Sequence, residues 1–252
     1  MHSNPSETPQ EVSISPFEAY RPLLSIALNN AQLPEKIKEN ILQTTQVNYI
    51  FFIDLSEIKQ SDPFLWYLVD KERPLPAGYE PDDLVELGSS SLYRINRTGL
   101  LLRKDAVISL EEMAAAARND GLILLASSAY RSYDYQFQVY NRFVSTMGVH
   151  EADKISARPG HSQHQLGLTL DFGSIDDSFA RTSEGIWLAA NASRFGWSLS
   201  YPLGYEEVTG YSWESWHFRY VGKQLAEFID NYFDGIQQYA LRFIYEYRKL
   251  HQ

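Results

Sequence analysis

The chain has 252 residues, 44% hydrophobic and 21% charged, ordinary proportions for a globular protein. Its net charge of −10, with no cluster of five basic residues, argues against a phosphate-backbone partner, which calls for a basic face. Cysteine is absent, which excludes disulfides and thiolate chemistry, and no apolar run reaches the ~20 residues of a transmembrane helix.

Residues 1–16, "MHSNPSETPQEVSISP", read as a disordered tail without the apolar core of a signal peptide. Residues 17–67 are expected to form a helical N-terminal extension, one helix opening at Pro34 in "LPEKIKENILQTT". Residues 68–87 are dense in proline and predict an ordered, extended connection into a domain running over 68–235. In "SLEEMAAAARNDG" the reading is a helix with Ser109 as cap, Glu112 completing a capping box and Gly121 as terminator.

"LILLASSAY" (122–130) then reads as a buried strand and "YDYQFQVYNRFVSTMG" as an amphipathic helix. Short strands are expected in "LTLDFGS", "WSLSYP" and "SWHFRYV", with a helix in "SEGIWLAANASRFG" closed by Gly196. The last thirty residues read as helix broken near Asp234–Gly235. Within 236–252, Ile236, Tyr239, Ala240, Phe243, Ile244 and Tyr247 recur at helical spacing, predicting one apolar face packed on the domain or on the N-terminal helices. Helices and strands mix without regular βα alternation, so the expected class is α+β: a small antiparallel sheet surrounded by helices, with helical extensions at both ends.

Chemistry concentrates in "ARPGHSQHQLGLTLDFGS" (157–174) and in "YSWESWHFRYVG" further on. Imidazole nitrogens and a carboxylate are suitable zinc ligands, and a catalytic zinc keeps one position open for water. His164, Asp171 and His217 form one such set; spacing alone does not choose between His161 and His164. Glu214, three residues before His217, can stand beside the metal as general base. Arg131, emerging at a strand end in "SSAYRSYDYQ", offers a fork of donors suited to a carboxylate or an oxyanion.

In this order the segments resemble the VanY-type D-alanyl-D-alanine carboxypeptidases, a group related to D-Ala-D-Ala dipeptidases, lysostaphin-like endopeptidases and hedgehog domains. The likeness runs from about "LVDKERPLP" to "RYVG" and rests on "SQHQLGLTLD", "ESWH", "YRSYDYQ", "EGIWLAANASRFGW" and "YPLGYEEVTGYSWE". It implies one zinc per chain on His164, Asp171 and His217, Glu214 as base, and Arg131 and Gln136 facing the substrate. It also implies Ser156 and Ser162 in the same pocket, with Arg131 assisting the oxyanion, and gives His161 no ligand role. The implied activity is a D,D-carboxypeptidase removing terminal D-alanine from peptidoglycan stems; an L,D-carboxypeptidase and a non-catalytic peptidoglycan-binding module are the alternatives. The substrate implies an extracytoplasmic protein whose export signal is absent from this chain, with an intracellular role as the alternative.

The chain departs from the family where Ala129 replaces a usual glycine, Ser200 a basic residue and Tyr205 a lysine. Ser200 and Tyr205 lie away from the ligands in sequence and are expected to bear on substrate detail alone.

Overall fold

The computed structural model describes residues 21–43, 45–76 and 78–250; the tail expected over 1–16 lies outside them. Three helices come first, α1 (Arg21–Asn30), α2 (Glu35–Leu42) and α3 (Thr45–Gln60). Then follow β1 (Leu84–Glu86), β2 (Arg94–Ile95), β3 (Leu101–Arg103), α4 (Lys104–Asn119), β4 (Leu125–Ser128), α5 (Tyr133–Met147) and α6 (Val149–Ile155). A 3-10 turn (Gln163–Leu166) leads into β5 (Thr169–Phe172), followed by α7 (Ser183–Asn191), β6 (Trp197–Leu199), α8 (Glu206–Thr209) and β7 (His217–Tyr220). The chain closes with α9 (Lys223–Tyr232) and α10 (Gln237–Lys249).

The main sheet has strand order β2-β4-β5-β7-β6, while β1 and β3 form a separate antiparallel pair. Every pairing in the main sheet is antiparallel except the β2–β4 edge, which is parallel, so the expected antiparallel sheet is corrected at one edge. The register sets Asp171 of β5 opposite His217 of β7 and also opposite Ser128 at the end of β4. Residues directly opposed across neighbouring strands project to the same face, so the topology alone brings these groups together.

The beginning of α4 also differs from expectation. The helix starts at Lys104, directly after β3, and Ser109 lies inside it. A buried stripe of Ala106, Leu110, Met113, Ala114 and Ala117 extends the helical period N-terminal of Ser109, which overrides the local capping signal. The buried Ser109 hydroxyl instead accepts from Trp197 Nε1 at 2.9 Å.

Burial divides into two cores. One gathers Leu24 and Leu28 of α1, Ile37 and Ile41 of α2, and Phe51 and Leu55 of α3 against the apolar faces of α9 and α10. All six residues of the apolar stripe expected on the last helix are buried here. Phe51 anchors it, its ring centroid 5.0 Å from that of Phe228 and 5.5 Å from that of Phe243. The other core packs the sheet against α4 and α7 through Leu102, Met113, Leu170, Phe172, Leu188 and Trp197. Between the two lies Arg219 of β7, fully buried, whose Nη2 donates to the carbonyls of Phe64, Leu65 and Tyr67 at 2.9–3.2 Å.

Candidate active site

Each candidate residue is delivered by a local device. Ser162 caps the 3-10 turn, its Oγ accepting from His164 N, and Gly167 ends that turn at φ +69°. A side chain at Gly167 would bring its Cβ to 2.9 Å from Leu84 Cδ2, so both backbone and space demand glycine there. The turn presents His164 just before β5, and β5 presents Asp171. β4 hands the chain on to Arg131, and Ser132 caps α5 by accepting from Tyr135 N. Glu214 sits in the turn entering β7, its amide donating to Tyr201 O at 3.0 Å, and His217 opens the strand.

Three donor atoms converge. His164 Nε2 stands 3.2 Å from Asp171 Oδ2, His217 Nδ1 stands 3.1 Å from Asp171 Oδ1, and all three residues are buried. Ligand atoms of the group lie within 4.8 Å of one another. Although each lies close to another member of the group, the buried His164 Nε2 and Asp171 Oδ1 make no contact of good hydrogen-bond geometry, an arrangement natural around a cation. The far nitrogen of each imidazole is already engaged: His164 Nδ1 on Ala129 O at 2.7 Å, and His217 Nε2 on Gln163 Oε1 at 3.2 Å. Such outer contacts orient imidazole ligands around a metal. Two nitrogens and one carboxylate, with a side left open, fit the donor set of a catalytic zinc.

Burial, with the Arg131 charge beside it, drives His164 down to about 4, keeping the imidazole neutral as a ligand must be. Burial also disfavours the charged forms of Asp171 and His217, but mutual contact wins. The two histidines hold the Asp171 carboxyl well below the usual range, and Asp171 and Glu214 raise His217 to about 9. Glu214 Oε2 lies 3.2 Å from His217 Nδ1, at the edge of the donor set, and is half-buried.

These groups open onto a cavity of about 220 Å³ whose polar lining includes Arg131, Ser156, Ser162 and Glu214. Arg131 is half-buried, with Nη1 3.4 Å from Ser128 Oγ and a partnerless Nε; burial lowers its pKa against the pull of Asp171 and Glu214. Gln136 is not at the wall. It is fully buried behind it, its Nε2 donating to Ala157 O at 2.7 Å and Ser156 Oγ at 3.4 Å. His161 stays out of the donor group, its Nδ1 2.7 Å from Asp70 O.

Other wall residues carried no role in the sequence reading. Val139 and Phe143, one helical turn apart on α5, form an apolar side, and that i,i+4 spacing was the available signal. Tyr201 packs on the His217 ring with centroids 4.7 Å apart. Burial, Tyr211 and Glu214 push the Tyr201 phenol well above its ordinary pKa, so it stays a proton donor at the cavity wall.

One departure from the family pattern proves closer to the site than its sequence position implies, and another points away from it. Ser200 Oγ donates at 2.7 Å to Gln163 Oε1, the atom that also meets His217. Tyr205 turns to the helical core, its ring 6.1 Å from that of Tyr239 on α10. Ala129 contributes its backbone carbonyl, which an alanine supplies as well as a glycine.

A family model for VanY D-alanyl-D-alanine carboxypeptidases matches residues 99–223. The chain is 36% identical over 196 residues to the putative carboxypeptidase YodJ of Bacillus subtilis (strain 168), 75% of this chain and 72% of that one. Among solved structures it is similar to the LD-carboxypeptidase LdcB, with TM-score 0.61 and 36% identity over 67% of this chain and 85% of that one. It is also similar to the zinc complex of a vancomycin-resistance D,D-pentapeptidase VanY variant, with TM-score 0.56 and 30% identity over 69% of this chain and 96% of that one. With a donor set that suits zinc and these relatives around it, the chain belongs to the VanY family and is a zinc metallocarboxypeptidase of the D-alanyl-D-alanine carboxypeptidase type.

Proposed function

We propose that the enzyme removes the C-terminal D-alanine of peptidoglycan stem peptides as a D,D-carboxypeptidase, with His164, Asp171 and His217 holding the zinc. The observation that carries this is the shared cavity: the donor group, a carboxylate at its edge and an arginine fork face the same 220 Å³ of space. When bound, zinc supplies a Lewis acid that polarises a carbonyl and brings the pKa of a water towards ~7.

The protein's own groups do the rest. Glu214 Oε2 takes the proton of the attacking water and returns it to the amine of the leaving D-alanine. The Arg131 fork binds the terminal carboxylate and helps to hold the developing oxyanion. Val139, Phe143 and Trp216 line the cavity with apolar surface that excludes bulk water, and Tyr201 offers its phenolic hydrogen to it. Gln136 acts from behind, holding the 156–157 segment so that Ser156 faces the substrate. A substrate of this kind lies outside the cytoplasmic membrane, so the site of action is extracytoplasmic; among the described residues no helix is long and apolar enough to cross a membrane.

The likeness to LdcB supports a second reading, an L,D-carboxypeptidase taking D-alanine from tetrapeptide stems. Both release the same product and differ in the residue before the cut. Synthetic pentapeptide and tetrapeptide stems, assayed side by side for free D-alanine, decide between them. The first reading expects faster release from the pentapeptide; release from the tetrapeptide alone replaces it with the second. Stem binding without release from either overturns both in favour of a binding module.

A further inference from the structure

We propose that Gln237, on the first turn of α10 and outside the segment matched by the family model, is a positioning residue for the metal ligand His217, acting through Gln163. The inference rests on the reading of His164, Asp171 and His217 as the zinc-holding group.

Hydrogen-bond polarity fixes the orientation of each amide in turn. The Ser198 carbonyl of β6 can only accept, and it receives Gln237 Nε2 at 3.2 Å, which fixes which end of the Gln237 amide points that way. Gln237 Oε1 then faces Gln163 and accepts from its Nε2 at 3.4 Å. The Gln163 amide is thereby turned so that Oε1 faces His217 Nε2, 3.2 Å away. An amide oxygen only accepts, so Nε2 carries a proton in this arrangement, which leaves Nδ1, facing Asp171 and the open site, as the nitrogen that would meet a metal after giving up its own proton.

Ser200 completes the circuit with the same polarity, accepting from Gln237 Nε2 at 3.3 Å and donating to Gln163 Oε1 at 2.7 Å. Gln163, Ser200, His217 and Gln237 are all buried, so water does not compete for these bonds. His164 needs no such relay, because a backbone carbonyl fixes its tautomer directly. The sheet thus orients one histidine from its own backbone and the other from a side chain of the terminal helix.

The test is zinc affinity of the full chain, measured by competition with a chromophoric chelator. Gln237→Met is expected to weaken zinc binding about tenfold or more, the range seen when an outer-shell partner is removed. Ser200→Ala, which deletes one hydroxyl and preserves the fold, is expected to weaken it in the same direction by less. Phe243→Leu, on the same helix but remote from the relay, should lower the melting temperature and leave zinc affinity unchanged, separating positioning from general destabilisation. Affinities of Gln237→Met and Ser200→Ala within about twofold of a zinc-binding wild type would overturn the proposal, and should Gln237→Met fail to fold, the Ser200→Ala result alone decides. A wild-type chain that binds no zinc would overturn the underlying reading of the donor group instead.

Discussion

The helical half and the sheet half of this protein spend burial on different things. Around α1–α3, α9 and α10 the interior is aliphatic and aromatic, with Phe51, Phe228, Phe233 and Phe243 packed in tilted and edge-on contacts at its centre. Behind the cavity, the sheet half buries His164, Asp171, His217, Gln136 and Gln163 beside its apolar side chains. Burying apolar area stabilises, at roughly 25 cal/mol per Å², whereas burying polar groups costs unless every partner is in place. The difference is a division in what is added to the apolar packing: both halves carry a buried apolar core and, among the described residues, the candidate metal-binding group is confined to the sheet half. The halves are tied by hydrogen bonds as well as by packing, through Arg219 on the 64–67 carbonyls and through Gln238 Nε2 on Asp70 Oδ2 at 3.1 Å.

That division can be broken at either end. The largest effect is expected from Glu214→Ala, which removes the proposed proton acceptor and should slow D-alanine release by about a hundredfold to ten-thousandfold. Because Glu214 is not counted among the three donors, metal analysis should find zinc retained. In the other half, Phe51→Ala empties the centre of the aromatic cluster and should cost about 3–5 kcal/mol of stability by denaturant titration. Below its melting transition that variant should still release D-alanine at a normal rate; a large loss of rate in the folded variant would contradict the division.

Arg131→Ala comes next, with an expected loss of about a hundredfold to a thousandfold in kcat/KM if its donors meet developing charge. Steady-state kinetics separate its two roles: loss in KM alone assigns the arginine to the terminal carboxylate, and loss in kcat to the oxyanion. The smallest effect concerns an exposed ion pair of the sheet half. Arg158 donates to Asp153 at 2.8 and 3.0 Å, and this pairing holds the Asp153 carboxyl below its ordinary pKa. A depressed folded-state pKa gives stability that is present above the unfolded value of ~3.9 and is lost as pH falls through the folded one. Asp153→Asn should therefore be slightly less stable than wild type at pH 7, with the two curves converging in acid. A gap that widens in acid would show the sign to be wrong.

Much of the site was legible in the sequence because its chemistry is carried by short motifs. "SQHQLGLTLD" and "ESWH" contain every donor atom of the cluster, and the resemblance chose His164 where spacing left His161 open. The terminal helix was legible because its apolar residues keep a helical period without interruption. Other features were hidden for physical reasons. The start of α4 was misread because a local capping pattern at Ser109 competes with a longer buried stripe. The Gln163–Ser200–Gln237 circuit joins residues 37 and 74 positions apart, and contacts across that separation leave no periodic trace. For the same reason Ser200 looked remote from the ligands, although its hydroxyl meets the amide oxygen that holds His217.

The central claim is that this cluster works by holding zinc beside Glu214 in a cavity that accepts a stem peptide. Its most direct test follows D-alanine release from a synthetic pentapeptide stem while zinc is stripped by a chelator and then restored. The account predicts one zinc per chain, loss of release on stripping and recovery on adding zinc back. Release that persists in the metal-free protein, or zinc that stays bound after His164, Asp171 and His217 are all replaced by alanine, would contradict it.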